Sequence, residues 1–598
     1  ACRSAWSANE LEIVGRAERV EAEGASSAAE PAVESAAEWG DGPIDFVAFA
    51  AGTESERHAR RLDWLKAAAA RALEVPLARV EVERSLTSYG LDSLAAVDLR
   101  TRVADSWGYE IPIVDLLDGA SVAQLEAAVA ASGEPHGTFS GRDGDLGISM
   151  GEPRLVPRAA MRGALAIGQE GLWFHSRLAP ESRAYHLGAA ARVEGVLDVD
   201  ALARAFSRLI DRHEALRTRF PEGPNGRPVQ VVSGRGAERG VFALERAQVA
   251  NEEELNRRID EALHRAFDLE QGPLLRSGVL SVSRRESASG TVLWLSLHHL
   301  IADFWSLTVL LRDLSNLYAE ELAGVRTAEP PEFISYLDWS EWQRERVHSA
   351  RGEREWAAWR DQLQGELPVL DLPTDRPRRE ERSWAGSEVD FEIPPALAAA
   401  VEKLARERSA TAFVVWLALF EAHLVRQTSA ERLVLGSPTT GRTGGGGLEG
   451  VLADRIGYFV NPVPLLLDAA GDPNLFELID RVRGVVFRAF ENQAFPFGVL
   501  AERLVPERSL GRSPLFDVAF ALERARDRAD LGGFALGRAG STLPLGPAHL
   551  HSLAHTPQGM PLDLGLTLAE IDGRLAGVVR YASELFDRVT VERWRDQL

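Results

Sequence analysis

Between Thr291 and Leu311 the chain reads TVLWLSLHHLIADFWSLTVLL, and its polarity pattern changes period once. Val292, Trp294, Ser296 and His298 fall on one side of a predicted strand, and Leu293, Leu295 and Leu297 on the other. His298 to Asp303 turns off the strand end. After Ser306, a residue able to cap, Leu307, Leu310, Leu311, Leu314 and Leu317 recur at helical spacing. Upstream, Leu202, Phe206, Leu209 and Ile210 predict a helix over 199–213 that leads into a strand at 217–220. Downstream, the pattern predicts a helix near 396–407, a long apolar one over 412–427, a strand at 432–436 and a glycine-rich loop at 441–450. Nearer the start, Leu62, Leu65, Ala69 and Leu73 mark a helix that ends before Pro76. Leu94, Val97 and Val103 mark a second helix, residues 112–117 a helical turn, and residues 121–131 a last helix. Together they predict a compact four-helix unit over 55–132, close to the minimum size for independent folding. Residues 17–54 are rich in Ala and Glu with no lasting apolar period, so 1–54 reads as an upstream tail and an acidic linker. Residues 133–161, rich in Gly, Asp and Pro, read as a second, flexible linker.

Composition narrows this picture. A chain of 598 residues, 45% hydrophobic and 26% charged, has room for roughly three to five globular domains. A net charge of -22 argues against a nucleic-acid or anionic-membrane surface. The single cysteine, Cys2, precludes an internal disulfide framework and suits a cytoplasmic location. No apolar run is long enough to span a bilayer and no signal peptide is evident. The opening residues, ACRSAWSANELEIVG, read as an excerpt of a longer polypeptide.

Chemistry concentrates at the strand-to-helix turn. His299 and Asp303 lie four residues apart, near enough for the aspartate to shape the turn that aims the imidazole. A neutral imidazole near pH 7 takes a proton from an attacking nucleophile and returns it to a leaving group. Taken alone, HHxxxD reads more readily as two satisfied core histidines, and the rest of the chain is what reverses that reading. Ser93 is expected at a helix N-terminus, where free N–H groups and the helix dipole suit a phosphodiester. GRTGGGG, from Gly441, lacks the Lys-Ser/Thr ending of a phosphate loop and reads as a bridging loop. The run RPRREER at 376–382 reads as a solvated face, and His549, His551 and His555 (HLHSLAH) lack a clear metal-site pattern, so no metal is expected.

Two resemblances join these pieces. GLDSL at 90–94, with its flanking helices, resembles the attachment motif of acyl and peptidyl carrier proteins, and AAVDLR after Ser93 looks like the polyketide type. The resemblance implies 4′-phosphopantetheine on Ser93. From about Arg162 to the end the chain resembles a condensation domain of nonribosomal peptide synthetases, through LAIGQEGLWF (165–174), RHEALRTRF (212–220), HHLIADFWS (298–306), YLDWSEWQ (336–343), IGYFVNPVPL (456–465) and the stretch from Gln493 to Phe520. It implies a carrier bundle followed by a two-lobed α/β domain: two chloramphenicol-acetyltransferase-like halves in a V, expected at 162–345 and 346–598, with a tunnel meeting the central histidine. It also implies His299 as the central catalytic residue, His298 in a supporting hydrogen bond, and Asp303 paired with Arg217. Gly457 and Asn461 become tunnel-lining candidates from the second half. The sequence departs from the family pattern at Gly168, where alanine is usual, and at Phe304, followed by Trp305, where glycine is usual. Phe304 and Trp305 are therefore expected to reshape the tunnel. The implied reaction joins an acyl or polyketide chain on the carrier to an aminoacyl group on a downstream carrier, giving an amide. Its implied partners are an upstream acyl-loading or polyketide module, that downstream carrier and a phosphopantetheinyl transferase. An ester product from a hydroxyl acceptor, or a catalytically silent docking platform, are the alternatives. Epimerisation and heterocyclisation fit the motifs less well.

Overall fold

The computed structural model describes residues 53–132, apart from short breaks between 74 and 118, and residues 153–598, apart from 154, 159, 224, 237–241, 283–289, 328–333, 443–450, 506–510, 524–530 and 556–558. They fall into two compact units. One takes in the described residues of Ala1–Gly147 with Glu392–Leu419 and Asn474–Arg483; the other, those of Ile148–Phe391, Phe420–Pro473 and Gly484–Leu598.

In the first unit the helix Glu54–Leu73 stops ahead of Pro76, as the periodicity predicts. It buries Trp64, Leu65 and a run of alanines, and Trp64 meets Trp107 edge-on at 5.9 Å. Val122–Ala131 is closed at its start by a capping box: Gln124 N–H donates to Ser121 Oγ (3.3 Å), and Ser121 N–H donates back to Gln124 Oε1 (2.8 Å). A buried pair, Arg61 Nε to Glu126 Oε1 at 2.7 Å, ties these two helices together. Leu99 and Val103 are buried, whereas Ser93, Leu94 and Val97 lie outside the described residues. Pro395 opens the helix Pro395–Glu407, where its fixed φ and missing N–H cost nothing.

The second unit is built on two six-stranded mixed sheets. One has the order Thr542–Leu545, Ala548–Ser552, His186–Glu194, Thr291–His298, Leu275–Val282, Glu245–Val249. All its pairs are antiparallel except the last. The strand Thr291–His298 runs through its middle and is buried on both faces. Leu293, Leu295 and Leu297 join a core with Leu202, Phe206, Leu209 and Leu310, and Val292 and Trp294 pack against Leu255, Ile259 and Leu263. Each such leucine contributes about 1.5–3 kcal/mol by leaving water. The helix Val199–Arg212 is capped by Asp198, whose Oδ1 accepts from Asp200 and Ala201 N–H (3.0 and 2.9 Å). The other sheet has the order Asn461–Asp468, Arg432–Thr439, Val518–Glu523, Leu564–Ile571, Arg574–Ala582, Gly386–Glu392. The predicted strand at 432–436 thus extends to Thr439.

The arginine run at 376–382 is the solvated face expected only in part: Arg376, Arg379, Glu380 and Glu381 are exposed, while Arg378 and Arg382 turn inward. Arg378 Nη1 donates to Asp563 Oδ1 (2.9 Å) and Arg382 Nη2 to Asp517 Oδ1 (3.0 Å), and both carboxylates are buried. These two guanidiniums turn inward because two buried carboxylates need partners. Among the described residues no single helix is long and apolar enough to cross a membrane.

Candidate active site

The central strand ends because His298 turns its side chain back on the chain. Leu300 N–H donates to His298 Nδ1 (3.1 Å), starting the one-turn helix His299–Ile301. His298 Nε2, left with the proton, faces Ser176 Oγ at 3.4 Å, and burial holds this imidazole's pKa well below the usual value. His298 is therefore a neutral structural group.

His299 is fixed differently. Its N–H donates to the Tyr185 carbonyl (2.9 Å), and its Nδ1 lies 2.9 Å from the Ala302 carbonyl oxygen. A carbonyl oxygen only accepts, so Nδ1 carries the hydrogen and Nε2 the lone pair. The ring of Tyr458 stands edge-on at 5.7 Å and 82°. Burial lowers the pKa of His299, with the Ala302 hydrogen bond and the charge of Asp303 opposing, so the ring is neutral at pH 7. His299 is half-buried and lines a cavity of about 300 Å³. The wall is largely apolar, with Leu187, Phe304, Leu307, Phe534 and Leu566 among its residues.

Asp303 does not touch the cavity. It caps the helix Phe304–Ala323: its Oδ1 accepts from Ser306 N–H (2.8 Å) and lies 2.7 Å from Ser306 Oγ. The helix thus starts ahead of Ser306, and the cap is Asp303, not the serine. Arg442 forks onto the carboxylate, Nη1 to Oδ2 at 2.7 Å and Nη2 to Oδ1 at 3.1 Å, and Phe459 N–H donates to Oδ2 (3.1 Å). Burial opposes the charge of Asp303, but Arg442 and Ser306 outweigh it and hold the carboxyl below its usual pKa.

A family model described as "Condensation domain" matches residues 163–598. The chain belongs to the condensation-domain family. A second model, "Phosphopantetheine attachment site", matches residues 63–129, a domain that carries 4′-phosphopantetheine. The homologues are nonribosomal peptide synthetases. A linear gramicidin synthase of Brevibacillus parabrevis is 34% identical over 521 residues, 86% of this chain and 10% of that protein. The phosphinothricin tripeptide synthetase PhsB of Streptomyces viridochromogenes is 32% identical over 535 residues, 87% of this chain and 41% of that protein. The chain therefore spans less than half the length of either relative. Among solved structures, the complex of the X-domain and OxyB from teicoplanin biosynthesis contains a chain that is 26% identical, with a TM-score of 0.63 over 75% of this chain and 94% of that one. The condensation domain of the monacolin K polyketide synthase MokA, 21% identical, has a TM-score of 0.60 over 73% of this chain and 96% of that one, and shares the two-lobed α/β fold.

Within the condensation domain, the expected pairing of Arg217 with Asp303 is not made. Arg217 ends the turn Glu214–Arg217, next to the strand Thr218–Arg219. Its Nη1 donates to the Ser233 carbonyl, and its Nη2 lies 3.6 Å from Glu214 Oε1. Its own turn and the neighbouring loop engage the guanidinium, and Arg442 takes the role. Arg442 follows Gly441, which holds φ +63 and where a Cβ would lie 1.6 Å from the Phe459 carbonyl. The start of the glycine loop is therefore an anchored crossing rather than a free bridge; residues 443–450 lie outside the described ones. No local signal in the sequence singles Arg442 out as the partner.

Of the tunnel candidates, Phe304 lines the cavity, and Trp305, Gly457 and Asn461 do not. Trp305 Nε1 donates to the Ala453 carbonyl (2.8 Å). Gly457 sits against Tyr336, where a Cβ would fall 2.2 Å from the ring, and its N–H donates to Ser306 Oγ (3.1 Å). Asn461 is a clamp: its Nδ2 donates to the Gln493 and Phe495 carbonyls (2.8 and 2.9 Å), and its Oδ1 accepts from Phe497 N–H (2.9 Å). His551 is engaged by Glu194 and Thr542, and His555 lines the cavity. Ser93 lies outside the described residues. The His299 cavity is thus largely apolar, with His186, His555, Glu388 and Arg580 as its other ionisable lining residues.

Proposed function

We propose that the chain joins an acyl or polyketide chain, held on the 4′-phosphopantetheine of Ser93, to the amine of an aminoacyl group on a downstream carrier, giving an amide. The prosthetic group supplies the activated thioester and the reach. The residues of the chain supply the rest. His299 Nε2, with its lone pair toward the cavity, accepts a hydrogen bond from the incoming amine, orients it, and takes its proton as the C–N bond forms. The C–S bond then breaks, and the departing sulfur leaves as thiolate or with that proton. The apolar wall excludes water that would otherwise hydrolyse the thioester. Because thioesters are already activated, positioning supplies much of the acceleration. Asp303 and Arg442 keep the turn rigid without meeting substrate. An upstream acyl-loading or polyketide module, a phosphopantetheinyl transferase and a cytoplasmic setting complete the proposal.

The observation that carries the reading is the tautomer of His299: Nδ1 is committed to the Ala302 carbonyl, which leaves the lone pair on Nε2 of a residue that lines the cavity. Intact-mass analysis after a phosphopantetheinyl transferase and acyl-coenzyme A tests it, followed by addition of aminoacyl carriers. We expect the mass gain on Ser93, lost in Ser93→Ala, and an amide product lost in His299→Ala. Undiminished product from His299→Ala would overturn it.

The similarity to the X-domain crystallised with OxyB favours a second reading, a platform that recruits partners without chemistry. A platform gives no acyl transfer with any aminoacyl carrier, and His299→Ala leaves its partner binding unchanged. An aimed, neutral His299 is what a platform does not require.

A further inference from the structure

One charged pair interrupts the apolar wall of the His299 cavity, and no step of the condensation uses it. Glu388 lies on the strand Gly386–Glu392 and Arg580 on its neighbour Arg574–Ala582, and both line the cavity. Arg580 Nε donates to Glu388 Oε2 (3.2 Å), and Nη2 donates to the Leu536 carbonyl (3.2 Å). The register partner of Arg580 on the next strand is Gly565, which also lines the cavity and offers no side chain to cover the guanidinium. The side chains of Glu388 and Arg580 remain 18% and 31% exposed. Arg580 Nη1 and Glu388 Oε1 take no protein partner among the described residues. A desolvated pair of this kind is costly to keep in an apolar wall, and replacing it with apolar side chains is often stabilising.

We propose that Glu388 and Arg580 form a recognition subsite for a neutral substrate group that both accepts and donates a hydrogen bond, a primary carboxamide above all, at the end of an otherwise apolar chain. The inference rests on the condensation reading and names the substrate class of that same cavity. The pair is neutral as a whole. An anionic group meets the Glu388 carboxyl, and an ammonium meets Arg580, so each brings like charges together. A carboxamide places its oxygen on Arg580 Nη1 and its N–H on Glu388 Oε1, satisfying both without changing the charge. A methyl-ended chain of the same length leaves both atoms unpaired.

Two arms locate the group on the acyl donor or on the aminoacyl acceptor. In one, the full chain with its carrier loaded is given acyl chains ending in a primary carboxamide or in a methyl group. In the other, the acceptor carrier bears glutaminyl or norleucyl. We expect kcat/KM to favour the carboxamide about 10- to 100-fold in one arm. Arg580→Met should bring that ratio to about 2-fold or less, and Glu388→Gln, which keeps the shape, should lower it. Equal ratios in both arms of the wild type, or a preference that survives Arg580→Met, would overturn the subsite. Calorimetry with carboxamide- and methyl-ended pantetheine amides reads the same preference without turnover. Absent product with a binding preference that Arg580→Met removes sinks the condensation reading alone, and product without preference sinks the subsite alone.

Discussion

At the scale of single residues, two polar commitments govern the site. Ala302 fixes which nitrogen of His299 carries hydrogen, and Arg442 neutralises Asp303 where the helix begins. The second makes a sharp prediction about stability. Arg442→Met strands a buried carboxylate and should cost about 3–5 kcal/mol, read as a lowered urea midpoint. Arg217→Met removes contacts to Ser233 and Glu214 and leaves Asp303 paired with Arg442, so its midpoint should fall by clearly less. If Arg442→Met proved silent while Arg217→Met reproduced the large loss, the assignment of the partner would be wrong. HHxxxD was legible as a site because all of its residues lie in one turn. The partner was not legible: Arg442 is 139 residues away, and nothing local distinguishes it from other arginines.

At the scale of elements, the departures from the family pattern acquire physical meaning. Gly168 sits on the helix Ile167–Leu178, and a Cβ there would lie 2.9 Å from Tyr458 Cε1. The missing methyl group leaves room for the ring that stands against His299. Gly168→Ala should push Tyr458 and slow the single-turnover rate roughly 10- to 100-fold with KM little changed; a KM effect alone would show that the ring does not position the histidine. Phe304 opens the helix Phe304–Ala323 and turns its ring into the cavity wall. Phe304→Gly should cost about 1 kcal/mol or less in helix stability and shift the preference toward bulkier acyl or acceptor groups. An unchanged substrate profile would show that Phe304 does not shape selectivity. The strand, turn and helix here were readable from period alone. The cap was not, because Asp303 and Ser306 are both good capping residues and only the backbone geometry chooses between them.

At the scale of the molecule, buried histidines couple stability to pH. Burial lowers His175, His186 and His423 to about 4 from an ordinary value of 6.5. His175 packs edge-on against Tyr185 and Trp384, and His186 against Phe267. Between pH 6.5 and 4 the unfolded chain binds protons that the folded chain refuses, so stability falls as the pH falls through that window and levels off below it. Each histidine contributes up to about 1.4 kcal/mol per pH unit there. The urea midpoint should drop between about pH 7 and pH 5, and His175→Phe should flatten the drop; a pH-independent midpoint would contradict the burial of these rings.

Taken alone, the sequence determined the helical and strand periods, the carrier and condensation motifs in their order, and the turn that presents His299, because each is written in residues close along the chain. Only the tertiary structure decided that the strands Thr542–Leu545 and Ala548–Ser552 complete the sheet holding His299, that Arg442 rather than Arg217 meets Asp303, and that Glu388 and Arg580 stand in the same wall as the imidazole. Those outcomes depend on which distant surfaces bury one another and which buried charge finds a partner, and no local period encodes either.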